Sequence, residues 1–346
     1  MADPAFWQDR RVLLTGHTGF KGAWLALWLQ MMGARVTGLS GPPPSAPSLY
    51  EQADIATMCE AEFSCDIREG AAVAEALERA QPELVIHMAA QAIVRRSLVD
   101  PVETWGVNVI GTANLLTALP DSVGATIVVT SDKCYRDIES GRPMTEDDPL
   151  GGKDPYSASK AAQELVAAAH RATFGTRIAT ARAGNVIGGG DWAADRLVPD
   201  LVRAAMAGEP VVLRNPDAVR PWQHVLNPLS GYLVLAERLL GPGGDAFAEA
   251  WNFGPDADDA KPVRWIADRL SDGWPGAGPE VRVEPDSDAG KESVLLRLDS
   301  SKARERLGWA PEWGLAKGLD STVEWYAAVD DGRERTLRQI AAFADR

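Results

Sequence analysis

A glycine-rich turn, Thr15-Gly16-His17-Thr18-Gly19-Phe20-Lys21-Gly22, constrains this chain more than any other feature, because it lies between two apolar runs of different texture. Before it, Val12-Leu13-Leu14-Thr15 reads as a buried strand; after it, Ala23 to Met32 reads as an apolar helix ended by Gly33. Glycines at 16, 19 and 22 permit a tight turn, close approach of a pyrophosphate and tight helix–sheet packing. The opening turn of the helix offers amide donors and a favourable dipole to phosphate oxygens. Glycines alone make only a turn, but between a strand and a helix they predict a dinucleotide site. Gly16, Thr18, Gly19, Phe20, Lys21 and Gly22 are its expected contacts.

The alternation continues. Strands are expected at Ala34 to Leu39, Leu84 to His87, Thr126 to Thr130 and Arg177 to Arg182. Helices are expected around Ala71 to Ala80, Trp105 to Leu119 and Ser157 to Ala172. Such alternation implies an α/β fold, a doubly wound parallel Rossmann sheet covered on both faces. Beyond Gly184 the segments shorten, and Gly, Pro and Trp become frequent. The expected organisation is a nucleotide-binding domain over 1–186, with segments near 222–252 returning to it. A smaller, mixed α/β substrate-binding domain is expected mainly over 187–346. Asp256 to Lys261 and Gly273 to Pro279 read as surface loops, and Asp299-Ser300-Ser301 as the cap of a short helix ended by Gly308.

A formal charge of -14 over 346 residues argues against nucleic acid or an anionic membrane as the main partner. No stretch reaches the roughly 20 apolar residues that span a bilayer, and Met1 to Arg11 lacks the order of a secretory signal. Cys59, Cys65 and Cys134 are odd in number and lack ligand spacing, which suggests reduced thiols in a cytoplasm. With four histidines and no His–Cys pairing along the chain, no metal is expected.

The acid that usually ends the second strand and reads the ribose is missing, since that strand closes Gly38-Leu39-Ser40. No arginine stands there for a 2′-phosphate either, so the region leans towards NAD. Asp66 and Ile67 are placed to meet the adenine, with a loop acid as the plainer reading. Ala89, Ala90 and Gln91, at the end of the strand that includes Leu84 to His87, are expected on the nicotinamide side. His87 reads as a packed core histidine, and Asn108 as an amide that could steady the active-site strand.

Tyr156 and Lys160 sit four residues apart on one helix and so share a face. A phenol with an ordinary pKa of about 10 is a poor base near neutrality, but a neighbouring ammonium and a positive nicotinamide ring both favour the phenolate. The pair can take a hydroxyl proton while hydride leaves the same carbon. Upstream, the strand from Thr126 runs into Thr130-Ser131-Asp132-Lys133. Ser131 can bond the reacting hydroxyl, and Thr130 borders the cofactor. Asp132 and Lys133 are the informative residues, because simple dehydrogenation or epimerisation requires neither.

These segments resemble the CDP-glucose 4,6-dehydratases, nucleotide-sugar enzymes of the extended short-chain dehydrogenase type. The resemblance rests on Gly16-His17-Thr18-Gly19-Phe20-Lys21-Gly22, Thr130-Ser131-Asp132-Lys133-Cys134-Tyr135, Asp148-Pro149-Leu150-Gly151-Gly152 and Asp154-Pro155-Tyr156-Ser157. It extends through Arg182-Ala183-Gly184-Asn185 and the following Gly188-Gly189-Gly190-Asp191-Trp192 to Arg220-Pro221-Trp222-Gln223-His224-Val225. It implies NAD as cofactor, a nucleoside-diphosphate sugar as substrate, CDP-glucose first among them, and a three-step, redox-neutral reaction. Tyr156 would take the proton of the 4-hydroxyl as NAD accepts hydride from carbon 4. Lys133, if neutral, would remove the proton on carbon 5, and a protonated Asp132 would help the 6-hydroxyl leave as water. Hydride would then return to carbon 6. Gln91, Ser131, Asn185, Arg196, Arg220 and His224 are the expected substrate contacts, the arginines for their fit to diphosphate oxygens. The resemblance also implies a homodimer or higher homo-oligomer through the helices around 105–119 and 157–172.

Three places depart from the family pattern: Leu98, Arg136 to Thr145, and Gly290-Lys291-Glu292-Ser293. The base and the sugar therefore stay open at this point, as do a nucleotide-sugar epimerase and a non-catalytic NAD(H)-binding protein.

Overall fold

Val12, Leu13 and Leu14 are all buried, so the first strand, β1 (Arg11–Thr15), must be covered on both faces. In the computed structural model, which describes residues 2–136, 141–284, 296–328 and 331–345, it lies inside a seven-stranded sheet. The other strands are β2 (Arg35–Ser40), β3 (Ala61–Ser64), β4 (Leu84–His87), β5 (Ala125–Val129), β6 (Ile178–Ala183) and β7 (Ala250–Phe253). Their order is β7-β6-β5-β4-β1-β2-β3, with every neighbouring pair parallel. This is the doubly wound sheet that the alternation predicts.

Alternate side chains of β1 feed opposite layers. Leu13 packs with Leu39, Val73, Leu77, Val85 and Leu115, whereas Val12 and Leu14 join the larger core on the other face. That core receives the helix Phe20–Met31, whose residues from Gly22 to Leu29 are all buried. A helix apolar on every side is a helix enclosed on every side, and this one is.

The order reverses between β1 and β4, whose carboxyl ends lie side by side with Thr15 opposite His87. Ligands of open α/β sheets bind at such a switch point. Three smaller pairings lie outside the main sheet: Val186–Ile187 with Gln223–His224, Val219–Pro221 with Ala260–Pro262, and Val211–Leu213 with Val281–Val283.

Two local expectations change. The helix expected from Trp105 starts earlier, at Pro101, because Asp100 caps it by accepting from the Glu103 amide at 2.9 Å. It passes through one wide turn, Gly106–Ile110, before continuing as Gly111–Thr117. The surface loop expected over 256–261 is in part a strand, Ala260–Pro262, since its backbone finds partners along Val219–Pro221. The Asp299 cap is present, its carboxylate accepting from the Ser301 amide at 2.8 Å, and Gly308 ends the segment at φ 71°. Among the described residues no helix is long and apolar enough to cross a membrane.

Candidate active site

The cradle after β1 is packed to its limit. Gly16 has φ +76°, and a Cβ there would lie 2.7 Å from the Ala89 amide nitrogen. On Gly22 a Cβ would fall 2.1 Å from the Gly16 carbonyl oxygen. Thr15 ties the two strand ends together: its hydroxyl meets His87 Nδ1 at 2.7 Å and accepts from the Met88 and Ala89 amides at 3.0 Å each. The other ring nitrogen of His87 meets Thr112 at 3.0 Å, and burial holds the imidazole's pKa down to about 3. His87 is a neutral core histidine. Gly19 caps the helix with no side-chain bond to its first amides. Ala89 and Ala90 are half-buried at the open edge of the sheet.

Where the ribose acid is missing, Ser40 bonds Thr18 hydroxyl to hydroxyl at 2.7 Å. His17 turns beneath β2, so that a Cβ on Gly38 would lie 2.5 Å from its ring, and it bonds Glu62 at 2.7 Å. Burial lowers its pKa against the pull of that carboxylate. His17, Cys59 and Glu62 bring potential ligand atoms within 4.8 Å of one another, a grouping that spacing along the chain does not reveal. Asp66 is tied to Arg68, whose hydrogen bonds lower its pKa, and it stays half-exposed; Ile67 is buried against Gly111.

The helix expected to carry the catalytic pair is Pro155–Phe174, capped by Asp154, which accepts from the Ser157 amide at 2.9 Å. It buries Tyr156 and Lys160 against the end of β5, where Lys160 Nζ approaches the Val129 carbonyl at 3.5 Å. Burial pushes the Tyr156 phenol up to about 12, opposed by a hydrogen bond with Ser131 and by the Arg196 charge. Burial also lowers Lys160 to about 8. Desolvation thus outweighs the phenolate-favouring contacts present in the protein alone.

Ser131, Asp132 and Lys133 follow β5 as a single tight turn, Asp132–Cys134. The Ser131 hydroxyl accepts from the Lys133 amide at 3.2 Å. Asp132 is 2 % exposed, and burial raises its carboxyl pKa against the Lys133 charge and the Ser131 bond. Lys133 itself is half-buried. Lys21 bonds the Tyr232 hydroxyl at 3.0 Å; burial, with Lys160 and Arg196 nearby, lowers it to about 7.

The substrate-side residues divide. Arg220 is buried and within electrostatic reach of Asp132. Arg196 pairs with Asp191 at 3.5 Å and stays half-exposed. Asn185 is half-buried, with its carbonyl accepting from the Gln223 amide at 3.0 Å. His224 does not line a cleft: it is fully buried, its ring between Trp24 and Trp313 at centroid distances of 5.7 and 5.0 Å. Gln91 uses its amide inside the protein, donating to Thr104 at 2.8 Å and accepting from the Ile93 amide at 2.6 Å. Leu98 is 63% exposed on an outer helix, Val94–Val99. The departures at 290–293, and residues 137–140 of the other, lie outside the described residues.

Sequence reasoning missed the polar network beneath the site. Glu164, one turn beyond Lys160, pairs with Arg182 at 2.8 Å and accepts from Thr130 and Thr180 at 2.5 Å each. Arg182 reaches Tyr135, which reaches Asn252. The available signal was an arginine inside the otherwise small and apolar β6. Asn108 adds a second brace, accepting from the Gln91 amide at 2.9 Å and donating to Ser159 at 2.9 Å.

The NAD dependent epimerase/dehydratase family matches residues 12–247. CDP-glucose 4,6-dehydratase of Salmonella typhimurium is 45% identical over 348 aligned residues, covering 97% of this chain and 96% of the relative. The structure of dTDP-glucose 4,6-dehydratase of Streptomyces venezuelae with NAD bound superposes with a TM-score of 0.77 at 28% identity, covering 91% of this chain and 96% of that one. UDP-glucose 4-epimerase of Thermotoga maritima gives a TM-score of 0.80 at 23% identity, over 91% of this chain and 98% of that one, a likeness of fold alone.

Proposed function

The chain belongs to the NAD dependent epimerase/dehydratase family, and we propose that within it the protein is a lyase, a nucleoside-diphosphate-sugar 4,6-dehydratase acting on CDP-glucose. The observation that carries the reading is the Asp132 carboxyl, buried, raised in pKa and set beside Ser131 and Tyr156. A carboxylic acid kept protonated is what expulsion of a hydroxyl as water requires.

The residues present fit the cofactor. A cradle that a Cβ at Gly16 or Gly22 would fill accepts a pyrophosphate, with the amides of Gly19 to Gly22 as donors and Ala89 and Ala90 bordering the nicotinamide. NAD held there would supply reversible hydride acceptance and a positive charge that favours the Tyr156 phenolate.

The chain's own groups move the protons. Tyr156 removes the proton of the 4-hydroxyl, with Ser131 hydrogen-bonded to the phenol. The ketone so formed acidifies the proton on carbon 5, which Lys133 takes in its neutral form. Asp132 gives its proton to the departing 6-hydroxyl, water leaves, and as carbon 6 is reduced the protonated Lys133 hands its proton back to carbon 5. Arg220 and Arg196 suit the diphosphate. A simple 4-epimerase would leave the Asp132 acid without a task.

The test is to offer CDP-, dTDP-, UDP- and GDP-glucose with NAD and read the strong alkaline absorbance of a 4-keto-6-deoxy sugar. Conversion of CDP-glucose ahead of the other three is expected. Four substrates returned unchanged would end the dehydratase reading, and turnover of another nucleotide alone would correct the base.

A further inference from the structure

Resting on the reading of Asp132 and Lys133 as the groups that expel water, we propose that Tyr135 is a positioning residue. Its buried hydroxyl fixes the Asp132–Lys133 turn for elimination and is not required for the redox half of the reaction.

The turn over Asp132–Cys134 is too short to hold its own shape. At its start it hangs from β5 and the Ser131 hydroxyl. At its end the backbone bonds the 149–151 segment, the Cys134 carbonyl accepting from the Gly151 amide at 2.8 Å, and the side chain that ties it to the sheet is Tyr135, which is 1% exposed. The Tyr135 hydroxyl donates to Asn252 Oδ1 at 2.6 Å and accepts from Arg182 Nη1 at 2.9 Å, while the Arg182 guanidinium lies 4.9 Å from the ring centroid. Both partners are anchored in turn. Arg182, on β6, is clamped by Glu164. Asn252, on β7, donates to the carbonyls of Met144 and Asp299 at 2.9 and 3.0 Å. One oxygen therefore pins the backbone beside Lys133 to two strands of the sheet.

The redox residues do not depend on that oxygen. Tyr156 and Lys160 take their places from the helix Pro155–Phe174, and Thr130 is held by Glu164 directly. Acid and base must meet carbons 5 and 6 within a fraction of an ångström, and a misplacement of about 1 Å can cost roughly 100-fold in rate. A looser turn should therefore slow elimination while leaving oxidation intact.

The experiment is single-turnover kinetics of Tyr135→Phe with NAD and CDP-glucose, following reduced cofactor and 4-keto-6-deoxy product separately. Expected are oxidation within about 2-fold of the parent, elimination slowed by about 10-fold or more, and reduced cofactor accumulating between them. Leu298→Ala, in the same small apolar cluster, controls for lost stability and should leave the ratio of the two rates unchanged. A parallel fall of both rates in Tyr135→Phe, no fall in either, or the same ratio change in Leu298→Ala would each overturn the proposal. Asp132→Asn and Lys133→Ala separate it from the reading beneath it. If they stall after oxidation while Tyr135→Phe does not, only the positioning role fails. If they dehydrate normally, both fail.

Discussion

The Ser131 hydroxyl donates to Asp132 Oδ1 at 3.0 Å, and among the described residues Oδ2 of the same buried carboxyl has no hydrogen-bond partner. An unpaired polar oxygen in a protein interior costs stability unless something else fills the need. In the proposed reaction the sugar's 6-hydroxyl would meet that need.

Asp132→Asn should therefore trade activity for stability. Dehydration falls by about 100-fold or more while oxidation at carbon 4 persists, so reduced cofactor accumulates. The pH dependence has a definite sign. Because the folded pKa is raised, the folded protein holds a proton that the unfolded chain releases. Stability from this group is full below the ordinary carboxylate range and is lost as pH rises through the folded value. The parent and Asp132→Asn should melt alike in acid, with the variant increasingly the more stable towards neutrality, as calorimetry across pH will read.

Gly184 faces the same carboxyl. A Cβ there would lie 2.7 Å from Pro221 Cγ and 2.9 Å from Asp132 Oδ2. Gly184→Ala should close the space the 6-hydroxyl needs, lowering kcat/KM for CDP-glucose by at least about 10-fold. NAD affinity, read by quenching of tryptophan fluorescence, should stay within error of the parent.

Gly22→Ala should do the reverse. Its Cβ would fall 2.1 Å from the Gly16 carbonyl and force the cradle open. NAD should bind at least about 10-fold more weakly by equilibrium dialysis, a loss of about 1.4 kcal/mol. Raising NAD well above the new Kd should restore much of the turnover, which Gly184→Ala would not permit.

Leu98, Val99, Val102, Trp105, Ile110 and Leu165 are exposed on the helices beside β4 and β5. A run of large apolar side chains on those elements suits a surface that meets another protein, and a second copy of the chain is the partner we expect there. If the chain pairs through this face, Ile110→Arg combined with Leu165→Arg should lower its sedimentation coefficient to that of a monomer. An unchanged sedimentation coefficient would count against self-association through this face.

What could be read from the sequence was what is local. Gly16 and Gly22 declare a tight turn because only a missing Cβ allows it, and Tyr156 and Lys160 declare a shared face because a helix repeats every 3.6 residues. His224 was misjudged because a strand as short as Gln223–His224 has no alternation to show which side faces inward. Gln91 sits where the sheet opens, yet Thr104 and the Ile93 amide claim its side chain. The link from Tyr135 to Asn252 joins positions 117 apart, and no periodicity carries that far. The steadying proposed for Asp132 and Lys133 runs through that link, so the residues were legible and what braces them was not.

The strand β7 closes the sheet against β6, yet it is made only after residues 184–249. During synthesis, the backbone of β6 waits with one edge unsatisfied while that whole stretch emerges from the ribosome. The Asn252 amide that completes the buried network arrives with β7. A nascent chain halted before residue 250 would thus carry all of its catalytic side chains and still expose a sticky border. Fragments cut there should aggregate or recruit chaperones, and the nucleotide-binding half of the molecule cannot be harvested as a free-standing piece by trimming the sequence at 186.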